Sequence, residues 1–111
     1  MAMKTRTITR EEVRRHTEGG GAKLVEVLSK EDYDHFHLPG AINVPLGDDF
    51  DERIRAAIPD QSGEVIVYCQ NSDCPASMKA ARRMEELGYE NVHDYESGKI
   101  DWKEAGFPIE N

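Results

Sequence analysis

The sequence predicts an α/β domain whose central sheet of four to five strands is mostly parallel and is flanked by helices on both faces. Short apolar runs rich in β-branched residues alternate along the chain with amphipathic segments that carry helix-capping signals. The chain has 111 residues, of which 38% are apolar, and this suffices for one modest core. We therefore expect residues 1–111 to form a single domain.

Four segments have the composition of strands that lie inside a sheet. They cover residues 23–28, 41–44, 64–68 and 91–95. A fifth and shorter candidate covers residues 6–8. Because helical segments separate these runs, the strands are expected to pair in parallel through crossover connections.

The first three helices are predicted from their amino-terminal caps. Thr9 and Glu12 have the spacing of a capping box, and Ser29 begins a similar motif at residues 29–32. Asp48 or Asp49 is expected to cap the third helix, which ends before a proline.

The last two helices are predicted from residues at both of their ends. A helix over residues 75–87 has Pro75 in its first turn and Gly88 directly after it. A short final helix ends at Gly106 and carries Trp102, which is expected either in the core or in a wall of the active-site pocket. Lys99, near the start of this helix, is expected to be exposed to solvent, and the alternative is that it reaches the functional site.

Charge and composition exclude several classes of function. There are 22 acidic and 14 basic side chains, giving a net charge of −8, so nucleic acid and anionic membranes are unfavourable partners. No apolar run approaches the roughly 20 residues of a membrane span. The first six residues lack the apolar core of a signal peptide, which predicts a cytoplasmic protein. Two cysteines are too few for a secreted disulfide framework.

The segment with the clearest chemical potential follows the predicted strand at residues 64–68. Cys69 stands at the end of this strand, and a short polar loop connects it to the next helix. Loop N–H groups and the helix N-terminus both stabilise a thiolate, which is the nucleophilic form of cysteine. We therefore predict that Cys69 is a nucleophile whose thiolate faces solvent in a cradle of main-chain amides. The alternative is a small buried residue at a strand end.

The loop itself is the candidate substrate-binding segment, mainly through its backbone N–H groups. It consists of Gln70, Asn71, Ser72, Asp73 and Cys74. Cys74 is either a resolving thiol that attacks a modified Cys69 or a small residue at the helix entry.

A metal site is not expected, and neither is any other cofactor. No histidine lies at metal-ligand spacing from the two cysteines, and the four histidines fall in separate elements. These are His16, His35, His37 and His93. We expect His37 to fix the turn that follows it by hydrogen bonding.

An ordered set of motifs resembles the rhodanese-like domain family over nearly the whole chain from Ile8 to Glu110. The sequences LVEV at 24–27, EDY at 31–33 and HLPGAINVP at 37–45 resemble its amino-terminal signature. The sequences VYC at 67–69, AA at 80–81 and LGYENV at 87–92 resemble its active-site strand and helix. The sequences SGKIDW at 97–102 and AGFP at 105–108 resemble its closing segment.

The resemblance implies sulfur transfer without a metal or organic cofactor. In this family the cysteine that matches Cys69 takes sulfane sulfur from a donor such as thiosulfate, holds it as a persulfide, and passes it to a thiol or to cyanide. The loop that matches residues 70–74 supplies backbone N–H groups to the terminal sulfur. Small sulfur donors, thiol acceptors and a protein that carries a persulfide are the partners implied.

Several departures from the family pattern bear on the donor. Leu28 stands where many members have arginine, Ser97 replaces the first glycine of a common pair, and the loop after Cys69 is longer. The loop contains Asp73 and no Lys or Arg, so it offers no side-chain charge to the thiosulfate dianion. A neutral or protein-bound persulfide is electrostatically easier to accommodate.

Two other functions remain open. A phosphatase or arsenate reductase of the same fold needs an arginine at the end of the cysteine loop, where this chain has Pro75. A non-enzymatic sulfur carrier that binds a partner protein would use an acidic face. That face is formed by Asp48, Asp49, Asp51 and Glu52.

Overall fold

A computed structural model describes residues 5–111 as five strands and five helices that alternate along the chain. The strands are β1 (Arg6–Thr7), β2 (Ala22–Glu26), β3 (Ile42–Asn43), β4 (Glu64–Tyr68) and β5 (Asn91–Tyr95). The helices are α1 (Arg10–Glu18), α2 (Lys30–His35), α3 (Phe50–Ala57), α4 (Ala76–Glu86) and α5 (Gly98–Glu104). Part of the segment tested for a signal peptide, residues 1–4, lies outside the described residues.

The strands form one sheet in the order β1-β5-β4-β2-β3, and every neighbouring pair is parallel. This confirms the predicted fold class and includes the short first strand. Residues 65–68 of the central strand β4 are fully buried. They form a continuous apolar run because helices cover both faces of a parallel sheet.

Each face of the sheet has its own apolar core. Helices α3 and α4 cover one face, where Val67 of β4 packs with Ile54 and Met84. Helices α1, α2 and α5 cover the other face, where Tyr68 packs near Trp102. None of the helices within residues 5–111 is long and apolar enough to span a membrane.

The structure confirms most of the predicted helix ends and corrects one. Thr9 and Glu12 make the reciprocal hydrogen bonds of a capping box, and Ser29 Oγ accepts a hydrogen bond from the backbone N–H of Asp32 at 3.2 Å. Asp49 occupies the N-cap position of α3 but makes no capping hydrogen bond through its side chain. Its backbone has φ −99° and ψ 10°, whereas a capping side chain requires an extended backbone to reach the helix N–H groups.

A buried ion pair connects α5 to the rest of the domain and contradicts the expectation that Lys99 is exposed. Lys99 is 1% exposed, and its Nζ donates to Oε2 of the fully buried Glu26 at 3.0 Å. Nζ also donates to the carbonyl oxygens of Asp32 at 2.7 Å and Phe36 at 2.8 Å. Burial raises the pKa of the Glu26 carboxyl, and the Lys99 ammonium opposes that rise.

We expect Lys99→Met to lower the free energy of unfolding by about 3–5 kcal/mol, because it leaves the buried Glu26 without its cation. The loss should be largest at neutral pH. It should shrink as the pH falls through the raised pKa of Glu26, because the protonated carboxyl needs no cation. Urea unfolding at several pH values measures both effects.

Lys103→Met is the matched control, since Lys103 lies on the same helix but is exposed. This control should change stability by less than about 0.5 kcal/mol. Adding Glu26→Met to Lys99→Met should recover part of the loss, because no unpaired charge then remains buried. Equal effects of the two lysine substitutions would contradict the structural role of the ion pair.

Candidate active site

Cys69 lies directly after β4, at the carboxyl edge of the sheet, as the sequence predicts. The loop of residues 70–74 leads from it to Pro75, which is the N-cap of α4. Because β4 lies between β2 and β5, this end of the strand is enclosed on both sides. Ligands of open α/β sheets bind in such crevices outside the strand ends.

The first turn of α5 fixes the main chain at Cys69. The backbone N–H groups of Lys99 and Ile100 donate to the carbonyl oxygens of Cys69 and Gln70, each at 3.0 Å. This close approach requires a glycine at position 98, where φ is +76° and a Cβ atom would lie 2.6 Å from the carbonyl carbon and oxygen of Gln70. The end of β4 and the start of α5 are therefore packed backbone against backbone.

The thiol of Cys69 is buried, which contradicts the expectation of a solvent-facing thiolate. Its exposed fraction is 0%, and it packs in the same core cluster as Val67. Sγ donates to the carbonyl oxygen of Cys74 at 3.3 Å and lies 3.6 Å from Ser77 Oγ. The pKa of Cys69 is raised to about 11, mainly by burial and also by the Cys74 side chain, while Ser77 opposes part of the rise. In this conformation Cys69 is a protonated thiol that points at a carbonyl group.

Two of the loop amides are turned away from the predicted cradle in this conformation. The N–H of Cys74 donates to the carbonyl oxygen of Asn71, and the N–H of Asp73 donates to Asn71 Oδ1, both at 3.1 Å. Asn71 thus holds two amides that were expected to face the sulfur. The amide that lowers the pKa of the Cys69 thiol belongs instead to Ser77, in the first turn of α4.

The remaining loop residues differ in burial. Gln70, Asn71 and Cys74 are partly buried, whereas Ser72 and Asp73 are exposed. Cys74 is a free thiol that packs against the core cluster of Cys69. The structure therefore brings together the two cysteines that the sequence could only place in one loop.

Ser77 and Asp94 were missed by the sequence analysis. Ser77 is 1% exposed beside the Cys69 sulfur, and Asp94 lies on β5 with an exposed fraction of 0%. A signal for Asp94 exists in the sequence, because a carboxylate at an inward position of a buried strand is rare. Ser77 carries no such signal, since serine is common in the first turn of a helix.

The chain matches the family model described as "Rhodanese-like domain" over residues 9–105. The chain belongs to the rhodanese-like domain family. This confirms the family resemblance drawn from the motifs around Cys69.

Two curated relatives differ in what their names say. The chain is 34% identical over 103 residues to the "HTH-type transcriptional regulator Rv0324" of Mycobacterium tuberculosis, covering 93% of this chain and 44% of that protein. It is 37% identical over 70 residues to "Thiosulfate sulfurtransferase PspE" of Escherichia coli, covering 63% of this chain and 64% of that protein. The chain thus spans less than two thirds of the length of either relative.

Solved structures of rhodanese-like proteins share the fold. The crystal structure of a thiosulfate sulfurtransferase from Pseudomonas aeruginosa has a TM-score of 0.83 and 26% identity, covering 96% of this chain and 20% of that chain. The human single-domain sulfurtransferase TSTD1 has a TM-score of 0.73 and 23% identity, covering 88% of this chain and 95% of that chain. The second comparison supports the fold alone.

The surroundings of Cys69 in this rhodanese-like domain disfavour a phosphatase. Residues 70–75 contain no arginine, and Arg83, within α4, donates from Nε to Asp51 Oδ1 at 2.8 Å. A phosphatase relies on an arginine at the end of this loop to clamp the oxyanion. Within residues 5–111, no group of three or more acidic, histidine or cysteine side chains is placed to hold a metal ion.

We expect Gly98→Ala to disturb the rhodanese-like site through the main chain of Cys69. Gly106 is the matched control, because its φ is +80° but a Cβ atom there would have nothing within 4 Å. Gly106→Ala should cost about 1–2 kcal/mol from its left-handed backbone alone. Gly98→Ala should cost about 1–3 kcal/mol more, because its Cβ must displace Gln70.

Urea unfolding of the two glycine variants measures this difference. Only Gly98→Ala should also change the rate at which iodoacetamide alkylates Cys69. Equal stabilities and equal alkylation rates would show that the contact with Gln70 does not constrain the site.

Proposed function

We propose that this domain is a sulfurtransferase that carries sulfane sulfur as a persulfide on Cys69. The observation that carries the proposal is a free thiol at the end of the central strand, with the first turn of α4 directed at its sulfur. A helix N-terminus supplies partial positive charge, which favours sulfur in its anionic form. Membership of the family and the relative named as a thiosulfate sulfurtransferase support the same chemistry.

The proposed reaction has two halves. Cys69 as thiolate attacks the outer sulfur of the donor, a new S–S bond forms on Cys69, and the donor's own bond to that sulfur breaks. An acceptor thiol or cyanide then attacks the terminal sulfur and regenerates the thiolate. No organic cofactor or metal ion takes part, and the two halves predict ping-pong kinetics.

The loop must rearrange before the donor can reach Cys69, because the thiol has no exposed surface. Opening has to break the bond from Sγ to the carbonyl of Cys74 and the two bonds that Asn71 accepts. The released amides can then face the terminal sulfur. Residues 70–74 would bind substrate in this open form.

The charges around the loop favour a persulfide donor over thiosulfate. Asp73 is exposed on the loop, and no lysine or arginine belongs to it. Lys99 follows Gly98, which contacts Gln70, but its ammonium is already bound by Glu26 and two carbonyl oxygens. A neutral thiol persulfide or a persulfide on a partner protein avoids placing a dianion beside Asp73.

Cys74 offers a second outcome for the persulfide. Its thiol could attack the inner sulfur of the Cys69 persulfide, forming a Cys69–Cys74 disulfide and releasing hydrogen sulfide. The half-buried position of Cys74 against the Cys69 cluster supports this role. Such a domain would need a reductant before each new cycle.

A binding or carrier module is the second candidate function, and the burial of the Cys69 thiol favours it. A domain that holds its cysteine fully buried turns over slowly with small donors until a partner opens the loop. The acidic residues at the start of α3 give a basic partner a surface to dock on. We place either form of the protein in the cytoplasm, where free thiols stay reduced.

Intact-mass spectrometry after incubation with a donor tests the proposal. We expect glutathione persulfide to add one sulfur atom, and thiosulfate or 3-mercaptopyruvate to add less. The gain should vanish in Cys69→Ser and persist in Cys74→Ser, which is the matched control. Loss of the gain in both variants would place Cys74 in the transfer step.

The acceptor half separates an enzyme from a carrier. Release of the sulfur to cyanide or a small thiol over repeated cycles would support an enzyme, whereas a stable persulfide would support a carrier. Hydrolysis of an aryl phosphate with no uptake of sulfur would contradict both.

A further inference from the structure

A buried carboxyl group without a hydrogen-bond partner lies behind the cysteine. Asp94 is fully buried on β5, and within residues 5–111 neither of its carboxylate oxygens has a hydrogen-bond partner of ordinary geometry. Buried carboxyl groups are normally paired or hydrogen-bonded, because burial without a partner is costly. No structural pairing explains Asp94 at this position.

The sheet register places Asp94 on the same face as the Cys69 thiol. Asp94 is opposite Val67 in the pairing of β5 with β4, and Cys69 follows Val67 by two residues. Side chains two residues apart on a strand share a face, so Asp94 and Cys69 lie on the face of the sheet that α4 covers. A side chain of α4 can therefore lie between them.

Ser77 of α4 is placed between the two groups, although its hydroxyl makes no hydrogen bond of ordinary geometry to Asp94 in this conformation. Helix α4 packs on this face through Ala80, Ala81 and Met84, and Ser77 is its buried residue nearest the amino end. Its Oγ lies 3.6 Å from Cys69 Sγ. Burial raises the pKa of Asp94, interaction with the Ser77 hydroxyl lowers it in part, and the charge of Glu96 raises it.

We propose that Ser77 and Asp94 form a proton relay behind Cys69, in which the carboxylate receives the thiol proton by way of the serine hydroxyl. The buried thiol needs an internal acceptor, since no solvent contacts it in the closed form. Asp94 acts through Ser77 and is therefore a positioning residue. The inference rests on the proposed sulfur transfer and names the groups that would activate its nucleophile.

The relay step balances without any further reactant. The S–H bond of Cys69 breaks and its proton passes to Ser77 Oγ, while the hydroxyl proton of Ser77 passes to Asp94. One negative charge moves from the carboxylate to the sulfur, and nothing is oxidised or reduced. The thiolate then displaces a thiolate from a persulfide donor. Asp94 returns its proton by the same route, so the net products are the Cys69 persulfide and a free thiol.

The ionisable groups near Asp94 are few, which simplifies its pH dependence. Cys69, directly after β4, lies on the same face of the sheet, and Glu96 follows β5 in the chain. Thr7 is its neighbour on β1, and the buried residues of α4 are uncharged. In the proposed relay the Cys69 thiol and the Asp94 carboxyl share one proton, so we expect the two groups to titrate together.

The test is the pH profile of iodoacetamide alkylation from pH 5 to 10 in a Cys74→Ser background, where Cys69 is the remaining thiol. With the relay intact, the rate should level off above the pKa of Asp94 and stay level through neutral pH. In Asp94→Asn only the thiol titrates, and burial keeps its pKa above the ordinary value. The rate should then rise about tenfold per pH unit and lie at least about tenfold lower at pH 7.

Three further variants keep the result interpretable if Asp94→Asn folds poorly. Ser77→Ala should give the same sloping profile because it breaks the relay, and Ser77→Thr should restore the level profile because it keeps the hydroxyl. Glu96→Gln is the matched control, since it removes an exposed acid beside Asp94 and should keep the level profile. A level profile in Ser77→Ala would overturn the relay. The relay would also be overturned if Asp94→Asn had the same profile as the Cys74→Ser parent.

Alkylation does not depend on sulfur transfer, so the two proposals can fail separately. If the pH profile is level in the Cys74→Ser parent and slopes in Ser77→Ala, but no donor forms a persulfide, the relay is retained and the proposed function is rejected. If a persulfide forms but the parent and the relay variants have the same pH profile, the proposed function is retained and the relay is rejected.

Discussion

Lys99 is the residue through which the candidate site is joined to the rest of the fold. Its backbone N–H binds the carbonyl oxygen of Cys69, while its ammonium binds Glu26 at the end of β2 and two carbonyl oxygens of the α2 region. The same residue thus fixes the ends of two neighbouring strands relative to one helix. Such a pair is costly to bury, and it is tolerated because Nζ has three acceptors. The position of the cysteine main chain is therefore set by tertiary contacts, whatever the loop does.

The elements that the sequence predicts well are those whose signals are local. The capping box at Thr9 and the proline and glycine at the two ends of α4 depend on residues a few positions apart, and all are found in the structure. Cys69 was placed correctly because an apolar strand that ends before a helix is also a local pattern. Asp49 shows the limit even here, since its backbone conformation prevents the cap that its side chain could make.

The parts that were predicted wrongly depend on partners far away in sequence. Lys99 resembles an exposed lysine until Glu26 is brought to it by the sheet, 73 positions away. The closed thiol depends on which way the carbonyl of Cys74 points, and residue types in a polar loop do not determine that direction. Asp94 and Ser77 meet the cysteine only once β5 and α4 pack against β4. Sequence patterns give each of these residues a place on an element but no partner.

An exposed active-site cysteine is reached by the donor and loses its proton to solvent, whereas the buried Cys69 thiol needs a separate solution for each. The donor needs access, which depends on the loop, and the thiol proton needs an acceptor, which we assign to Ser77 and Asp94. A crystal structure of the protein after reaction with glutathione persulfide tests the central claim most directly. We predict a second sulfur on Cys69, the carbonyl of Cys74 turned away, and loop amides within hydrogen-bond distance of the terminal sulfur. An added sulfur on Cys74 alone, or an unmodified Cys69 in an unchanged loop, would contradict the account.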